Sequence, residues 1–171
     1  MAKRVLMVIA PEAFRDEEYQ QPREEFRKAG FEVVTASTME GEALGMLGGT
    51  AIAEKTIDNV DAGSFDAVVF VGGSGASIYF ENAMAHQLAR KAAGQRKVVA
   101  AICISPTILA NAGVLKGKKA TVFREKRLIE ILKTKGATYT GADVEKDGNV
   151  ITGSGPHAAR RFGQAIVEAL S

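Results

Sequence analysis

The one cysteine of the chain, Cys103, stands between a short apolar run at residues 98–102 and the Ser105-Pro106 pair. The run predicts a buried strand, and serine followed by proline is a frequent start of a helix. In open parallel sheets, ligands bind beyond the carboxyl ends of the strands. A thiol at such a turn is presented to the crevice, and the helix start favours its thiolate form. The sequence therefore predicts a nucleophilic Cys103 with a lowered pKa.

A glycine-rich segment, Gly-Gly-Ser-Gly at residues 72–75, follows another apolar run at residues 67–71. Glycine lets the backbone approach a ligand closely and turn N–H groups towards an anion. Three interpretations stay open: an oxyanion hole completed by the N–H of Ile104, a phosphate or nucleotide loop, and an ordinary tight turn. The nucleotide interpretation is weak, because the segment matches neither G-x-G-x-x-G nor the P-loop pattern.

Acidic residues cluster in the segment Arg15-Asp16-Glu17-Glu18, which comes after the first apolar run. Acids in a first helical turn are favoured by the helix dipole and are usually solvated, which suits Asp16 and Glu17. One carboxyl of this segment could instead face the cysteine and share a proton with it. The spacing alone does not say which one.

Strand-like and helix-like segments alternate along the chain, which predicts an α/β protein. Apolar runs at 4–10, 31–36, 67–71 and 98–102 predict strands, and helices are expected at 18–29, 82–93, 106–113, 125–135 and 156–170. Residues 120–123 predict a further strand, 144–152 a hairpin, and the glycine-rich stretch 40–58 a small hairpin or excursion. We expect one domain, 1–171, with a flavodoxin-like three-layer sandwich: a mostly parallel sheet with helices on both faces and a nucleophile elbow.

Composition excludes several classes of protein. The formal net charge is +2 and the basic residues are scattered among acids, so we expect no nucleic-acid partner. No apolar run approaches the roughly 20 residues of a membrane span, and no signal peptide is recognised, so a cytoplasmic protein is expected. A single cysteine forms no internal disulfide or thiolate zinc site, and His86 and His157 lack ligand spacing. We expect no metal and no cofactor.

The segment AAICISPTILA, residues 100–110, resembles the cysteine signature of the ThiJ/PfpI superfamily, which includes intracellular peptidases, glyoxalases and the parkinsonism-associated protein deglycase. The segments 65–73, 112–119, 144–152 and 155–156 resemble other parts of the same family. The resemblance thus extends over nearly the whole chain.

The resemblance implies a role for each candidate residue. Cys103 matches the nucleophile, and Glu18, four residues before Pro22, matches the glutamate that hydrogen-bonds the cysteine sulfur. Gly73 and Ile104 match the backbone donors of the oxyanion pocket, with Gly72 as an accessory position.

The chain departs from the family pattern at the catalytic histidine. Peptidases and glyoxalases of the family usually have histidine directly after the cysteine, where this chain has Ile104. The deglycase branch has a histidine shortly after the following strand, and the nearest match here is Phe123. His157, just after Gly155-Pro156, is the remaining histidine that could reach the pocket as an accessory residue.

These features lead to one main hypothesis and several rivals. We expect a cysteine-dependent enzyme that acts on small reactive carbonyls by thiolate addition, and the resemblance implies a homodimer or a higher homo-oligomer. One alternative is a redox sensor whose cysteine is oxidised rather than turned over. A peptidase or amidase is less favoured, because the leaving amine needs a proton donor. A nucleotide-binding flavodoxin-like module is the third alternative.

Overall fold

The computed structural model describes residues 1–171 and is built around one seven-stranded sheet. Along the chain, the strands and α-helices are β1 (Arg4–Val8), β2 (Glu12–Phe14), α1 (Asp16–Lys28), β3 (Glu32–Ser37), β4 (Gly41–Gly45), β5 (Thr50–Ala53), β6 (Lys55–Thr56), β7 (Ala67–Phe70), α2 (Ala83–Gly94), β8 (Val98–Ile102), α3 (Pro106–Asn111), β9 (Lys119–Ala120), α4 (Lys126–Thr134), β10 (Thr138–Tyr139), β11 (Val144–Asp147), β12 (Val150–Gly153) and α5 (Ala159–Leu170).

The central sheet has the strand order β11-β12-β8-β7-β1-β3-β6. Every neighbouring pair is parallel except β11 with β12, which forms the antiparallel hairpin expected near the end of the chain. The parallel connections pass through helices on both faces, so the predicted flavodoxin-like α/β class is confirmed. The carboxyl ends of β1, β7 and β8 consequently meet at one edge of the sheet.

Two apolar clusters cover the two faces of the sheet, which explains why its central strands are apolar throughout. Leu6 and Val8 of β1 point into the larger cluster, together with residues of α2, α3 and α4. Val5 and Met7 of the same strand point the other way, into the cluster that α1 and α5 complete. Successive side chains of a strand alternate between faces, so a strand buried on both sides needs an uninterrupted apolar run.

Outside the main sheet, the excursion expected over residues 40–58 contains a hairpin of β4 and β5, with β2 parallel to β4. The strand predicted over 120–123 is mostly absent, since only Lys119–Ala120 pairs, with β10. The amides that follow are used elsewhere: Thr121 donates to the Thr152 hydroxyl and Phe123 to the carbonyl of Cys103. The closing helix likewise begins with a short 3-10 turn, Pro156–Ala158, before α5.

Helices α1 and α5 pack closely on one face of the sheet, and their contact is made at Gly163. A Cβ atom at this position would lie 2.7 Å from the Cα of Pro22, which is in the interior of α1. The absence of a side chain therefore sets the distance between the helices. It also fixes α1 against the sheet, and with it Glu18, one turn before Pro22.

We predict opposite effects for alanine at two helical glycines. Gly163→Ala should lower the free energy of unfolding by about 1–3 kcal/mol, because the new methyl group pushes α1 away from α5. Gly94→Ala, at the end of α2, should be neutral or raise it by up to about 1 kcal/mol, because nothing lies within 4 Å of the added carbon. Urea denaturation of both variants checks this, and equal effects would contradict the close contact.

Candidate active site

Cys103 occupies a strained turn directly after β8. Its backbone has φ 65°, a left-handed conformation that few non-glycine residues adopt. Two hydrogen bonds hold it there: its N–H donates to the Gly153 carbonyl at 2.9 Å, and its own carbonyl accepts from the Phe123 N–H at 2.7 Å. Strain of this kind concentrates at functional sites, and a nucleophile elbow has this geometry. The expectation that the Cys103 thiol is presented to the crevice is wrong, however, since only 7% of the residue is exposed.

Ser105 joins the elbow to the neighbouring strand rather than capping the helix. Pro106 is the first residue of α3 as expected, but Ser105 is itself in a helical conformation and makes no capping hydrogen bond. Its buried hydroxyl donates instead to the carbonyl of Val71 at 2.8 Å. This bond connects the end of β7 to the turn after β8 and brings segment 72–75 beside Cys103.

Glu18 lies fully buried in the first turns of α1, with its carboxyl group facing Cys103. Neither carboxyl oxygen has a partner at ordinary hydrogen-bond geometry, and the groups that face it are the Cys103 thiol and the Gly72 amide. A Cβ atom on Gly72 would lie 2.2 Å from Glu18 Oε1 and 2.5 Å from the Cβ of Cys103. Glycine at 72 therefore leaves the space in which the carboxyl and the thiol meet.

The amides of Gly73 and Ile104 face the Cys103 sulfur from two sides. Gly73 has φ 105°, and a Cβ atom there would lie 2.3 Å from the backbone nitrogen of Arg15. Glycine is required both for this conformation and for the close passage of the chain. Two converging amides beside a nucleophile are the arrangement that stabilises an oxyanion, so the structure favours this interpretation of segment 72–75.

Asp16 and Glu17 do not share the solvated environment expected for them. Asp16 is buried, and its Oδ2 accepts hydrogen bonds from the amides of Leu47 at 3.0 Å and Gly49 at 3.1 Å. The expectation was wrong because the turn between β4 and β5 presents amides that need an acceptor, and the glycines of segment 45–49 were the available signal. Glu17 is half-buried and pairs with both Nε and Nη2 of Arg15, which lowers its pKa.

The structure does not bring His157 to the cysteine. The ring is largely exposed, and its Nε2 lies 3.1 Å from Asp143 Oδ1 and 3.4 Å from the Ser154 hydroxyl. It lines a separate cavity of about 230 Å³ with Phe123. It makes no hydrogen bond to Cys103 or Glu18, so the accessory role expected for His157 has no geometric support.

Burial dominates the ionisation of both groups in the pair. It raises the pKa of Glu18 to about 8, although the Cys103 thiol and the charge of Arg15 oppose this. Burial and the charge of an ionised Glu18 raise the pKa of Cys103 to about 12, against the effect of the Gly73 and Ile104 amides. The lowered thiol pKa expected from the sequence is therefore wrong, because removal of water from the sulfur outweighs the nearby N–H groups.

The two groups titrate as one unit, because the charge of either opposes ionisation of the other. The pair loses its first proton at about 8 and its second only at about 12. Between these values it holds one proton. Two amides, of Gly73 and Ile104, face the sulfur, whereas one, of Gly72, faces the carboxyl group. Because the value for Glu18 is the lower of the two, the charge of this one-proton state lies on Glu18 and the proton on the sulfur, and the two amides at the sulfur reduce the cost of passing that proton to Glu18.

The positions of the side chains and the lengths of the helices bear on metal ligation and on membrane spanning, respectively. No three His, Cys, Asp or Glu side chains converge as metal ligands would. None of the helices combines the length and the apolar character needed to cross a membrane.

The fold and the elbow define an α/β protein of flavodoxin-like type with a cysteine beside a buried glutamate. The DJ-1/PfpI family model matches residues 3–169, and the chain belongs to that family. It is 46% identical over 168 residues to an uncharacterised protein of Methanocaldococcus jannaschii, covering 98% of this chain and 82% of the relative. It is 34% identical over 151 residues to a deglycase of Thermococcus kodakarensis, covering 88% of this chain and 90% of the relative. The crystal structure of a ThiJ/PfpI domain protein from Brachyspira murdochii superposes with a TM-score of 0.95 at 32% identity. The match covers 99% of this chain and 96% of that protein.

The raised pKa of Glu18 predicts how stability changes with pH. In the unfolded chain the carboxyl ionises near its ordinary value of 4.5, and in the folded chain at about 8. Between these values the folded state binds the extra proton, so its stability falls as pH rises. The slope should be at most about 1.4 kcal/mol per pH unit.

Urea denaturation at several pH values, on the wild type and Glu18→Gln, measures this effect. The wild type should lose stability relative to the glutamine variant from about pH 5 to about pH 8. A constant difference across this range would show that the carboxyl ionises normally in the folded protein.

Proposed function

We propose that this protein is a cysteine-dependent enzyme that converts small reactive carbonyl compounds, in the manner of a glyoxalase or deglycase, as one domain spanning residues 1–171. The observation that carries the proposal is the buried, otherwise unpartnered Glu18 carboxyl facing Cys103 at a strained elbow. A carboxyl group held without other partners beside a nucleophile is suited to moving protons during the reaction. The deglycase name of the Thermococcus kodakarensis relative supports the same class of substrate.

In the first step ionised Glu18 takes the proton of the Cys103 thiol, and the resulting thiolate adds to the aldehyde carbon of a substrate such as methylglyoxal. The new carbon–sulfur bond leaves a negative charge on the former aldehyde oxygen, where the amides of Gly73 and Ile104 can stabilise it. Protonated Glu18 then gives its proton to that oxygen. The products of this step are a hemithioacetal and an ionised Glu18.

Ionised Glu18 acts as the base in the second step. It takes the proton from the carbon bonded to sulfur and returns it to the adjacent carbon. The hydroxyl proton of the first carbon passes to the carbonyl oxygen of the second, and the hemithioacetal becomes a thioester. Water then hydrolyses the thioester, releasing lactate and restoring the Cys103 thiol. One group therefore moves every proton, since the histidine positions of the family carry Ile104 and Phe123 in this chain.

We expect this chemistry to be slow. A positioned general acid or base typically contributes about 10²–10⁴-fold, and the histidine that would supply it is missing. Glu18 also remains mostly protonated at neutral pH, because it ionises only at about 8, so only a minor fraction of molecules has the base that takes the thiol proton. Peptide hydrolysis is less favoured still, since no group other than Glu18 is placed to protonate a leaving amine.

A redox sensor is the second candidate function. The observation that favours it is the same pair of unpartnered carboxyl oxygens beside the sulfur. A protonated Glu18 can donate a hydrogen bond to an oxygen of a cysteine sulfinate, which peroxide forms from a thiolate in two steps. Turnover separates the two candidates, because a sensor stops once its single cysteine has been oxidised.

We predict slow conversion of methylglyoxal to lactate that depends on the pair. Cys103→Ala should abolish it, and Glu18→Gln should reduce it by at least about 100-fold because the amide cannot carry the proton. His157→Ala should leave the rate unchanged, since that ring contacts neither member of the pair. The measurement is lactate formation by purified protein, with circular dichroism to confirm that each variant is folded.

The wild-type rate should also rise with pH through about 8, as the pair loses its first proton. Equal rates for the wild type and Cys103→Ala would refute the carbonyl-enzyme proposal. Selective oxidation of Cys103 by peroxide, detected by mass spectrometry in the same preparation, would then favour the sensor.

A further inference from the structure

A second cavity, of about 530 Å³, lies at the opposite edge of the central sheet from Cys103. Its lining residues stand at the amino ends of parallel strands: Lys3 before β1, Asp66 before β7, Val98 at the start of β8 and Asn149 before β12. The five residues of β8 span about 16 Å, so the cavity is separate from the cysteine site. Its volume is in the range of small-ligand sites, roughly 300–1,000 Å³.

Four cationic residues from three parts of the chain line this cavity. They are Lys3, Arg96, Lys97 and Lys146, and none of them forms an ion pair with a carboxylate. Asp66 is the only acidic side chain in the lining, and its Oδ2 already accepts a hydrogen bond from the Arg4 amide at 2.8 Å. With the carboxylate of Ser171, which also lines the cavity, counted beside Asp66, the four cations still leave a local excess of positive charge.

Arg96 is held in a conformation that normally belongs to glycine. Helices α1, α3 and α4 each end with a glycine one residue past the cap, Gly30, Gly113 and Gly136, with φ of 80°, 84° and 91°. Helix α2 ends with the same hydrogen bonds, but the equivalent residue is Arg96, with φ 60°. A side chain in this conformation is strained, and glycine is the residue that relieves it.

The other non-glycine residues with positive φ support a functional interpretation of this strain. Besides Arg96, two non-glycine residues of the chain have positive φ. Cys103 belongs to the candidate active site, and Ala13 adjoins it. Glycine at position 96 would remove the strain. The presence of arginine there instead points to a role for its side chain. Arg96 lines the cavity together with three lysines, so we assign that role to its guanidinium group.

We propose that this cavity binds the phosphate chain of a di- or triphosphate. Guanidinium and ammonium groups are the side chains that recognise phosphate oxygens, and arginine does so with two parallel hydrogen bonds. Several clustered cations match the several negative charges of a phosphate chain better than the single charge of a carboxylate. Inorganic di- or triphosphates and nucleotides both contain such a phosphate chain, and the two sources share the chemistry that these residues recognise.

Isothermal titration calorimetry of the full chain with pyrophosphate, ATP and adenosine tests the proposal. We expect saturable one-to-one binding of pyrophosphate and ATP that weakens as salt is added, because the contacts are ionic. Equal affinities for pyrophosphate and ATP would identify the phosphate chain alone as the recognised group. Tighter binding of ATP than of pyrophosphate would indicate an additional contact with the nucleoside. No saturable binding of either phosphate, or adenosine binding as tightly as ATP, would overturn the proposal.

A substitution at Arg96 separates the proposed role from a structural one. Arg96→Gly should weaken binding at least about 10-fold, the loss typical of a charge-assisted hydrogen bond. The same change should raise the melting temperature by about 2–4 °C, because glycine relieves the strained backbone. Lys135→Gln, which removes a cation from the end of α4 outside the cavity, should leave binding within about 2-fold of the wild type. A lower melting temperature with unchanged binding in Arg96→Gly, or equal losses in both variants, would overturn the proposal.

Discussion

The contact between the Glu18 carboxyl and the Cys103 thiol sets the requirements that the surrounding structure meets. Both groups can ionise, and both are almost completely removed from water. Burial of a charge is costly, so the pair keeps its protons to unusually high pH and releases them as a unit. The only nearby compensation comes from backbone amides and from Arg15. The chemistry available to the site depends on which of the two groups gives up the first proton.

Three separate parts of the chain must meet with little tolerance to form this contact. Helix α1 supplies Glu18, the segment after β7 supplies the glycines, and the turn after β8 supplies the sulfur. The parallel sheet brings the three together because the strands before them end at one edge. The Ser105 hydroxyl bonded to Val71, and Gly72 with no side chain, then set the final distances. The same sheet places the cationic cavity at its other edge, so two sites can exist on one small fold.

The sequence allowed prediction of the features that depend on local pattern. Uninterrupted apolar runs identified the central strands, because both faces of the sheet are covered, and the position of Cys103 after such a run located the elbow. Features that depend on long-range contacts were missed. The burial of Asp16 requires the turn between β4 and β5 to close over it, and the Ser105 hydroxyl found an acceptor 34 residues away. The raised thiol pKa has the same origin, since neighbours distant in sequence exclude water from the sulfur.

Burial should keep the Cys103 thiol protonated well above neutral pH, so that Glu18 loses the first proton of the pair. Thiolate absorbs ultraviolet light where the thiol and both carboxyl forms are nearly transparent, so an absorbance titration identifies the ionised group directly. The wild type should gain the absorbance of the Cys103 thiolate only towards pH 12, and Cys103→Ser should lack this contribution at every pH. Thiolate absorbance with a midpoint at about 8 would show that Cys103 rather than Glu18 loses the first proton, and would contradict this order of ionisation.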